Sequence, residues 1–137
     1  KRLPLGSRLM PHAREVLEYL RPRYRMYILS NGFTELQSRK MHSAGIESYF
    51  DGVILSEDIG VNKPNPEIFY HALRVAGVGA SEALMIGDNL EVDIAGASRV
   101  GIDQVYYDLV ASGDDAVSLK PSPTYVISSL LDLKGIL

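Results

Sequence analysis

The chain predicts an α/β protein with a mainly parallel sheet, and three observations predict it. Short apolar, β-rich runs each stop at a glycine or a polar turn, patterns of helical period follow them, and the two kinds of segment alternate along the chain. Strands alternating with helices imply right-handed crossovers, which lay successive strands parallel. One stretch shows the pattern most fully. Residues 83–86 form an apolar run, Gly87 breaks it, and apolar residues resume at helical spacing from Leu90 through Ile94 and Ala97. The turn puts Asp88 at the carboxyl end of a strand and Asp93 in the first turn of the next helix. That rim is where open parallel sheets bind ligands. Two carboxylates there suit a hard cation such as Mg2+, which takes one or two carboxylates and keeps several waters. They equally suit a cap, with Asp88 closing the helix start and Asp93 favouring its positive end.

Each element can be justified in order. Residues 1–11 hold two prolines and a glycine among scattered apolar residues, which suits an irregular lead-in. From His12, the residues Ala13, Val16, Leu17 and Leu20 fall on one helical face, with Pro11 suited to a first-turn position and an end near Pro22. Arg25 to Gly32 then reads as a buried strand presenting Ser30 and Asn31 at its end. A helix from about Phe33 to Ala44 closes at Gly45. Residues 52–55 form another short strand, opening into the loop Ser56 to Pro66. There Pro64 restrains Lys63 to an extended backbone, and Asn65 and Pro66 read as the N-cap and first position of a helix running to about Ala76. The helix from Leu90 stops at Gly101, and residues 104–107 form a further strand. A polar loop runs through Pro123, before a last short strand at 125–127 and a terminal helix.

Composition bounds the function. With 137 residues, 46% of them hydrophobic, the chain can bury one sizeable core, so residues 1–137 are expected to form a single domain. Fourteen basic against seventeen acidic residues give a net charge of −3 without a dense basic block, which argues against a nucleic-acid partner and leaves a nucleotide open. No apolar run approaches the ~20 residues that span a bilayer, and no signal-peptide pattern opens the chain, so neither a membrane nor export is expected and a cytoplasmic location fits. The absence of Cys rules out disulfides and thiolate metal sites. His12, His42 and His71 lack ligand spacing and read as surface or helix positions. Tyr106, Tyr107 and Tyr125 read as packing against the sheet.

Three successive strands end in complementary polar groups: Ser30 with Asn31, then Lys63 beyond its loop, then Asp88 with Asp93. A parallel sheet brings these ends to one edge. A hydroxyl with backbone N–H groups, an ammonium and a cation-binding carboxylate are what a phosphoryl group needs, since its reactions depend on positioning and on stabilising charge spread over three oxygens.

On these residues the chain resembles the haloacid dehalogenase superfamily, most of whose members are phosphatases. Residues 28–32 resemble its second motif, Lys63-Pro64 with the following helix its third, and Gly87-Asp88 through Asp93 its fourth. The order and spacing agree from about Pro11 to Tyr107. The Ser-Asn-Gly-Phe run at 30–33 is similar to the branch that includes pyrimidine nucleotidases. The resemblance implies a Rossmann-like three-layer sandwich. It also implies that Ser30 and the Asn31 backbone grip the phosphate of a small phosphorylated substrate, that Lys63 neutralises it, that Asp88 binds Mg2+, and that Asp93 orients the site indirectly. Family members that cleave carbon–halogen bonds lack the aspartate corresponding to Asp88, so its presence favours a phosphate ester.

One part of the family pattern is missing. The family's nucleophile is the first aspartate of an Asp-x-Asp motif on a strand preceding all of these, and no Asp-x-Asp occurs in this chain, whose first aspartate is Asp51. Asp108 ends a strand that the family does not use for chemistry, and Asp114-Asp115 has no strand before it. The expected account is an incomplete core, lacking the first strand, the nucleophile and the helical cap that usually sets specificity; the opening at Lys1 rather than Met agrees. In the family that strand lies between those ending at Ser30 and Asp88. Its absence leaves two unpaired edges, to be repaired by closing the sheet, by borrowing a strand from another copy, or by a separate N-terminal piece. A receiver domain is rejected because Lys63 precedes the acidic pair. A non-catalytic phosphate-binding or regulatory module remains the alternative.

Overall fold

The computed structural model describes residues 12–32, 35–108, 119 and 122–137. The expected lead-in, the start of the helix at Phe33, Asp114-Asp115 and most of the late polar loop lie outside them. The first helix, α1 (Ala13–Leu20), buries the four residues its period selects, Ala13, Val16, Leu17 and Leu20. It begins after His12, whose φ of 66° is left-handed. Next come β1 (Tyr27–Ser30), α2 (Glu35–Ala44) and β2 (Gly52–Leu55). The helix α3 (Pro66–Ala76) starts as expected, with the Asn65 side chain accepting from the Glu67 N–H and proline in the first turn, and it ends at a left-handed Gly77. After β3 (Leu84–Gly87), a π-helical turn over Leu90–Ala95 runs into α4 (Gly96–Arg99). The chain finishes with β4 (Asp103–Tyr107), β5 (Tyr125–Ile127) and α5 (Leu133–Ile136).

All strand pairs are parallel. Tyr27 lies opposite Gly52 and Ser30 opposite Leu55, while Leu84 lies opposite Asp103 and Val105 opposite Tyr125. The pleat sorts the strand residues into two cores, one on each face. Ile28, Leu84, Ile86, Val105 and Ile127 pack with Val16, Leu17 and Leu20 of α1 and with Leu133 of α5. Leu29, Ile54 and Met85 pack with Ile68 and Phe69 of α3 and with Ala97 of α4. This is the three-layer, Rossmann-like α/β arrangement. Burial on both faces is what makes the strands read as continuous apolar runs rather than alternating ones. Each fully buried side chain of this size contributes about 1.5–3 kcal/mol relative to exposure. No helix among the described residues is long and apolar enough to cross a membrane.

Two details differ from the periodic reading. The spacing in α3 puts Ile68, Ala72, Leu73, Val75 and Ala76 on or near one side, yet Phe69 is 1% exposed while Val75 is 48% exposed, because the helix faces the sheet through Ile68 and Phe69. Tyr107 packs inward, but Tyr125 is exposed because its side chain leaves β5 on the open side.

The sheet is divided. Among the described residues β1 pairs with β2 alone and β3 with β4 alone, so the ladders β1–β2 and β3–β4–β5 share no strand pair. Of the three repairs expected for the missing strand, closure of the sheet by the chain itself is corrected, because no ladder joins the two halves among the described residues. Between the halves lies a cavity of about 200 Å3, lined by Tyr27 and Leu29 of β1, Leu84 and Met85 of β3, and Phe69 and Leu73 of α3. Packing of α1, α3 and α5 across both halves holds these edges apart without a ladder.

At the amino ends of β1 and β2, Asp51 ties the connections together. Its carboxylate accepts from the Met26 N–H at 2.9 Å and from Arg21 at 3.1 Å. Desolvation works to raise its pKa, but the Met26 N–H and the Arg21 guanidinium outweigh it and hold the carboxyl below its ordinary value.

Gly96 marks the tightest join between α4 and the rest. A Cβ there would lie 2.7 Å from the Phe69 ring and 3.1 Å from Pro64 Cβ. Gly96→Ala is expected to cost ~1–3 kcal/mol through overpacking, read as a lower urea midpoint at unchanged m-value. An unchanged midpoint would show that α4 can withdraw freely.

Candidate phosphate-binding site at the carboxyl edge

The site begins with the ends of β1 and β3. At the end of β1, the half-buried Ser30 accepts the Gly32 N–H on its hydroxyl at 3.1 Å, which folds the following residues into a tight turn. Asn31 turns its side chain the other way, onto the loop that carries Lys63. Its Oδ1 accepts the Lys63 N–H at 2.7 Å and its Nδ2 donates to the Lys63 carbonyl at 3.2 Å. The hydroxyl of buried Ser56 donates to the Asn31 carbonyl at 3.0 Å. The Lys63-Pro64 peptide is cis, a feature the sequence does not announce.

From this loop the Lys63 side chain reaches across the gap between the half-sheets. Its ammonium donates to Asp93 Oδ1 at 2.7 Å, with only 8% of the Lys63 side chain and 4% of the Asp93 side chain exposed. The sequence expects both residues at this edge but does not predict their direct pairing. Asp93 comes into reach because of the π-helical turn. The Asp93 and Ile94 N–H groups both bond to the Asn89 carbonyl, widening the first turn. The other Asp93 oxygen accepts the Asn89 N–H at 3.3 Å. Gly87 makes room, since a Cβ there would collide with the Asp93 carboxylate.

Asp88 sits between these anchors. Of the two roles its position permits, the cap is taken by its neighbour, because Asn89 Oδ1 accepts the N–H groups of Glu91 and Val92 at 3.1 and 2.8 Å. Among the described residues no partner engages the Asp88 carboxylate, which is half-buried at the strand end. It joins the network through its chain neighbours Gly87 and Asn89. Its oxygens are of the right kind for a hard cation. They are one carboxylate, however, and no group of three or more His, Cys, Asp or Glu is gathered among the described residues.

The network thus runs from Ser56 and Asn31 through Lys63 to Asp93 and Asn89, with Ser30 and Asp88 next to its two ends. Sequence reasoning missed Ser56, the cap Asn89 and the bracing side chain of Asn31. Only Asn89 carried a signal, as an Asn directly before a helical period. His42 lies on the surface beside Glu47, and His12 lies near Glu15, away from this edge.

Removing one partner of a buried pair leaves the other charge without its counter-ion, at a cost of about 3–5 kcal/mol. Lys63→Met and Asp93→Asn are each expected to destabilise the chain on that scale, and the double variant by clearly less than their sum. Additive losses in a double-mutant cycle would refute the pairing.

Comparisons with known proteins identify the family. The sequence profile of haloacid dehalogenase-like hydrolases matches residues 2–101. The chain is 33% identical to the N-acylneuraminate-9-phosphatase of Mus musculus over 129 residues, 94% of this chain and 52% of that protein. It is 34% identical to the pyrimidine 5'-nucleotidase YjjG of Escherichia coli, over 93% of this chain and 56% of that one. The crystal structure of the magnesium-bound HAD-hydrolase YfnB from Bacillus subtilis superposes with a TM-score of 0.82 at 30% identity, covering 96% of this chain and 56% of that one. A 2-haloacid dehalogenase from Pseudomonas syringae superposes with a TM-score of 0.79 at 31% identity, covering 94% of this chain and 53% of that one. The chain spans about half the length of the curated relatives it matches. The motifs, the fold and these matches agree, and the chain belongs to the haloacid dehalogenase-like hydrolase family.

Proposed function

We propose that this chain carries the phosphate-binding part of a Mg2+-dependent hydrolase of small phosphate esters, a nucleotide being one such ester. The observation that carries the proposal is the buried Lys63–Asp93 pair at the carboxyl edge, flanked by Ser30 and by an Asp88 carboxylate not used for capping. In this reading the Ser30 hydroxyl and the Asn31 N–H hold phosphate oxygens. Lys63 supplies the positive charge, and Asp93 keeps its ammonium aimed at the edge. Asp88 contributes a carboxylate ligand to Mg2+, which when bound would neutralise charge on the phosphoryl oxygens. Proteins similar to the chain include phosphatases and dehalogenases. The Gly87-Asp88 pair favours phosphate chemistry, since a dehalogenase has no use for a cation ligand there.

The chain by itself is proposed to be inactive. A covalent phosphoryl transfer needs a carboxylate oxygen that bonds to phosphorus as the leaving alcohol departs, and the sequence holds no Asp-x-Asp to supply it. Mg2+ binding is proposed to be correspondingly weak, on the order of millimolar. The test uses the purified chain with Mg2+, p-nitrophenyl phosphate and orthophosphate. Expected are no turnover above buffer, weak Mg2+ binding lost in Asp88→Asn, and orthophosphate binding lost in Lys63→Met. Turnover free of contaminating enzyme would overturn the inactivity, and failure to bind orthophosphate would overturn the phosphate site. The DNA sequence upstream of Lys1 separates the two accounts of the gap: an Asp-x-Asp strand there supports a hydrolase, and a start codon beside Lys1 supports a non-catalytic module.

The slot between the half-sheets is proposed to receive an extended strand, from a second copy or a separate segment, in a protein of cytoplasmic location. The edges of β1 and β3 that no strand pairs with among the described residues, and the apolar cavity between them, support this. Light scattering is expected to show concentration-dependent association, with the β1 and β3 amides protected from exchange in the associated form. A monomer at all concentrations would oppose strand exchange between copies.

A further inference from the structure

We infer that Asn31 is a positioning residue whose side-chain amide braces Lys63, a role distinct from any backbone contact it makes with phosphate. The inference deepens the phosphate-site reading and rests on it for its functional meaning, though the brace itself stands on geometry. Asn31 meets the backbone of Lys63 twice, accepting its N–H at 2.7 Å and donating to its carbonyl at 3.2 Å. A side-chain amide that pairs with both polar groups of one residue fixes that residue's plane as well as its distance. The brace is itself anchored, because the buried Ser56 hydroxyl donates to the Asn31 carbonyl at 3.0 Å.

The position matters because of what Lys63 must do. Its four-carbon stem is flexible, and a phosphate-facing ammonium is useful only if the stem starts from a fixed point. Asp93 holds the ammonium end from β3's side of the gap, and Asn31 holds the backbone end from β1's side. No backbone ladder joins these two strands among the described residues, so the brace and the ion pair together set how Lys63 stands relative to both. A residue that only grips phosphate through its N–H would tolerate any side chain. The geometry requires an amide.

The test reads Lys63 directly. In the 15N-labelled chain at low temperature, the Lys63 ammonium resonance reports its exchange with water, and orthophosphate titration reports the site. Asn31→Ala is expected to speed Lys63 ammonium exchange at least roughly tenfold and to weaken orthophosphate about fivefold. Asn31→Asp, which keeps the acceptor for the Lys63 N–H, is expected to recover part of the protection. Ser56→Ala is expected to shift exchange in the same direction by less, and it carries the test should Asn31→Ala not fold. Asp51→Asn, a stability control at the opposite end of the sheet, is expected to leave Lys63 unmoved. Unchanged Lys63 exchange in Asn31→Ala and Ser56→Ala, or an equal change in Asp51→Asn, overturns the brace. If the parent chain takes no orthophosphate while the exchange pattern holds, the phosphate reading fails and the brace stands.

Discussion

A single ion pair sets the terms for this structure. Lys63 and Asp93 are both nearly enclosed, and they come from opposite sides of a sheet whose two ladders share no strand pair among the described residues. Burying two charges is costly, and it is sustained only where the geometry is close and the remaining polar atoms are satisfied. Several local features of the edge meet that demand. Gly87 has no Cβ to displace the Asp93 carboxylate, Asn89 donates its N–H to the second carboxylate oxygen, and the π-helical turn sets Asp93 at the required height. On the other side Asn31 and Ser56 fix the loop from which Lys63 extends. The polar edge and the two apolar cores are therefore complementary. The cores hold the halves together face by face, and the ion pair fixes their relation at the end where chemistry is proposed.

Much of this was legible in the sequence, and the reasons are specific. A strand buried on both faces announces itself as a short apolar run, so β3 is found with little ambiguity, and β2 is found from its apolar, β-branched run although Val53 is exposed. The α1 stripe is regular enough that all four of its buried residues follow from the period. Asn65 and Pro66 form a start signal that depends on local backbone chemistry alone. Parallel topology sends strand ends toward one edge, which is why Ser30, Asn31, Lys63, Asp88 and Asp93 were expected together. Of these, hydrogen bonds join Asn31 to Lys63 and Lys63 to Asp93, and Ser30 and Asp88 adjoin that network along the chain.

What escaped the sequence depends on contacts between distant segments. Nothing in residues 28–33 says that the Asn31 amide will pair with a backbone thirty-two positions away. The competition between Asp88 and Asn89 for the cap turns on one residue of register, which a helical period does not resolve. Phe69 was missed because the orientation of α3 on the sheet, not its own pattern, decides which side is covered. The open slot was foreseen as a gap, with closure by the chain itself as one of three expected repairs, and that one is not seen among the described residues. Helices spanning both halves hold the edges apart, and their reach is a property of the assembled layers.

The divided sheet has one more consequence. Among the described residues every strand pair joins neighbours within one portion of the chain, β1 with β2 before Ala76, and β3 with β4 and β4 with β5 from Leu84 onward. A nick in the connection around Gly79 would cut no ladder. It would leave two pieces, each retaining its own hydrogen-bonded strands, that meet through the packed side chains of the two cores and through the Lys63–Asp93 pair. The molecule is in this sense already a two-part assembly written on one thread, suited to reconstitution from separately made halves.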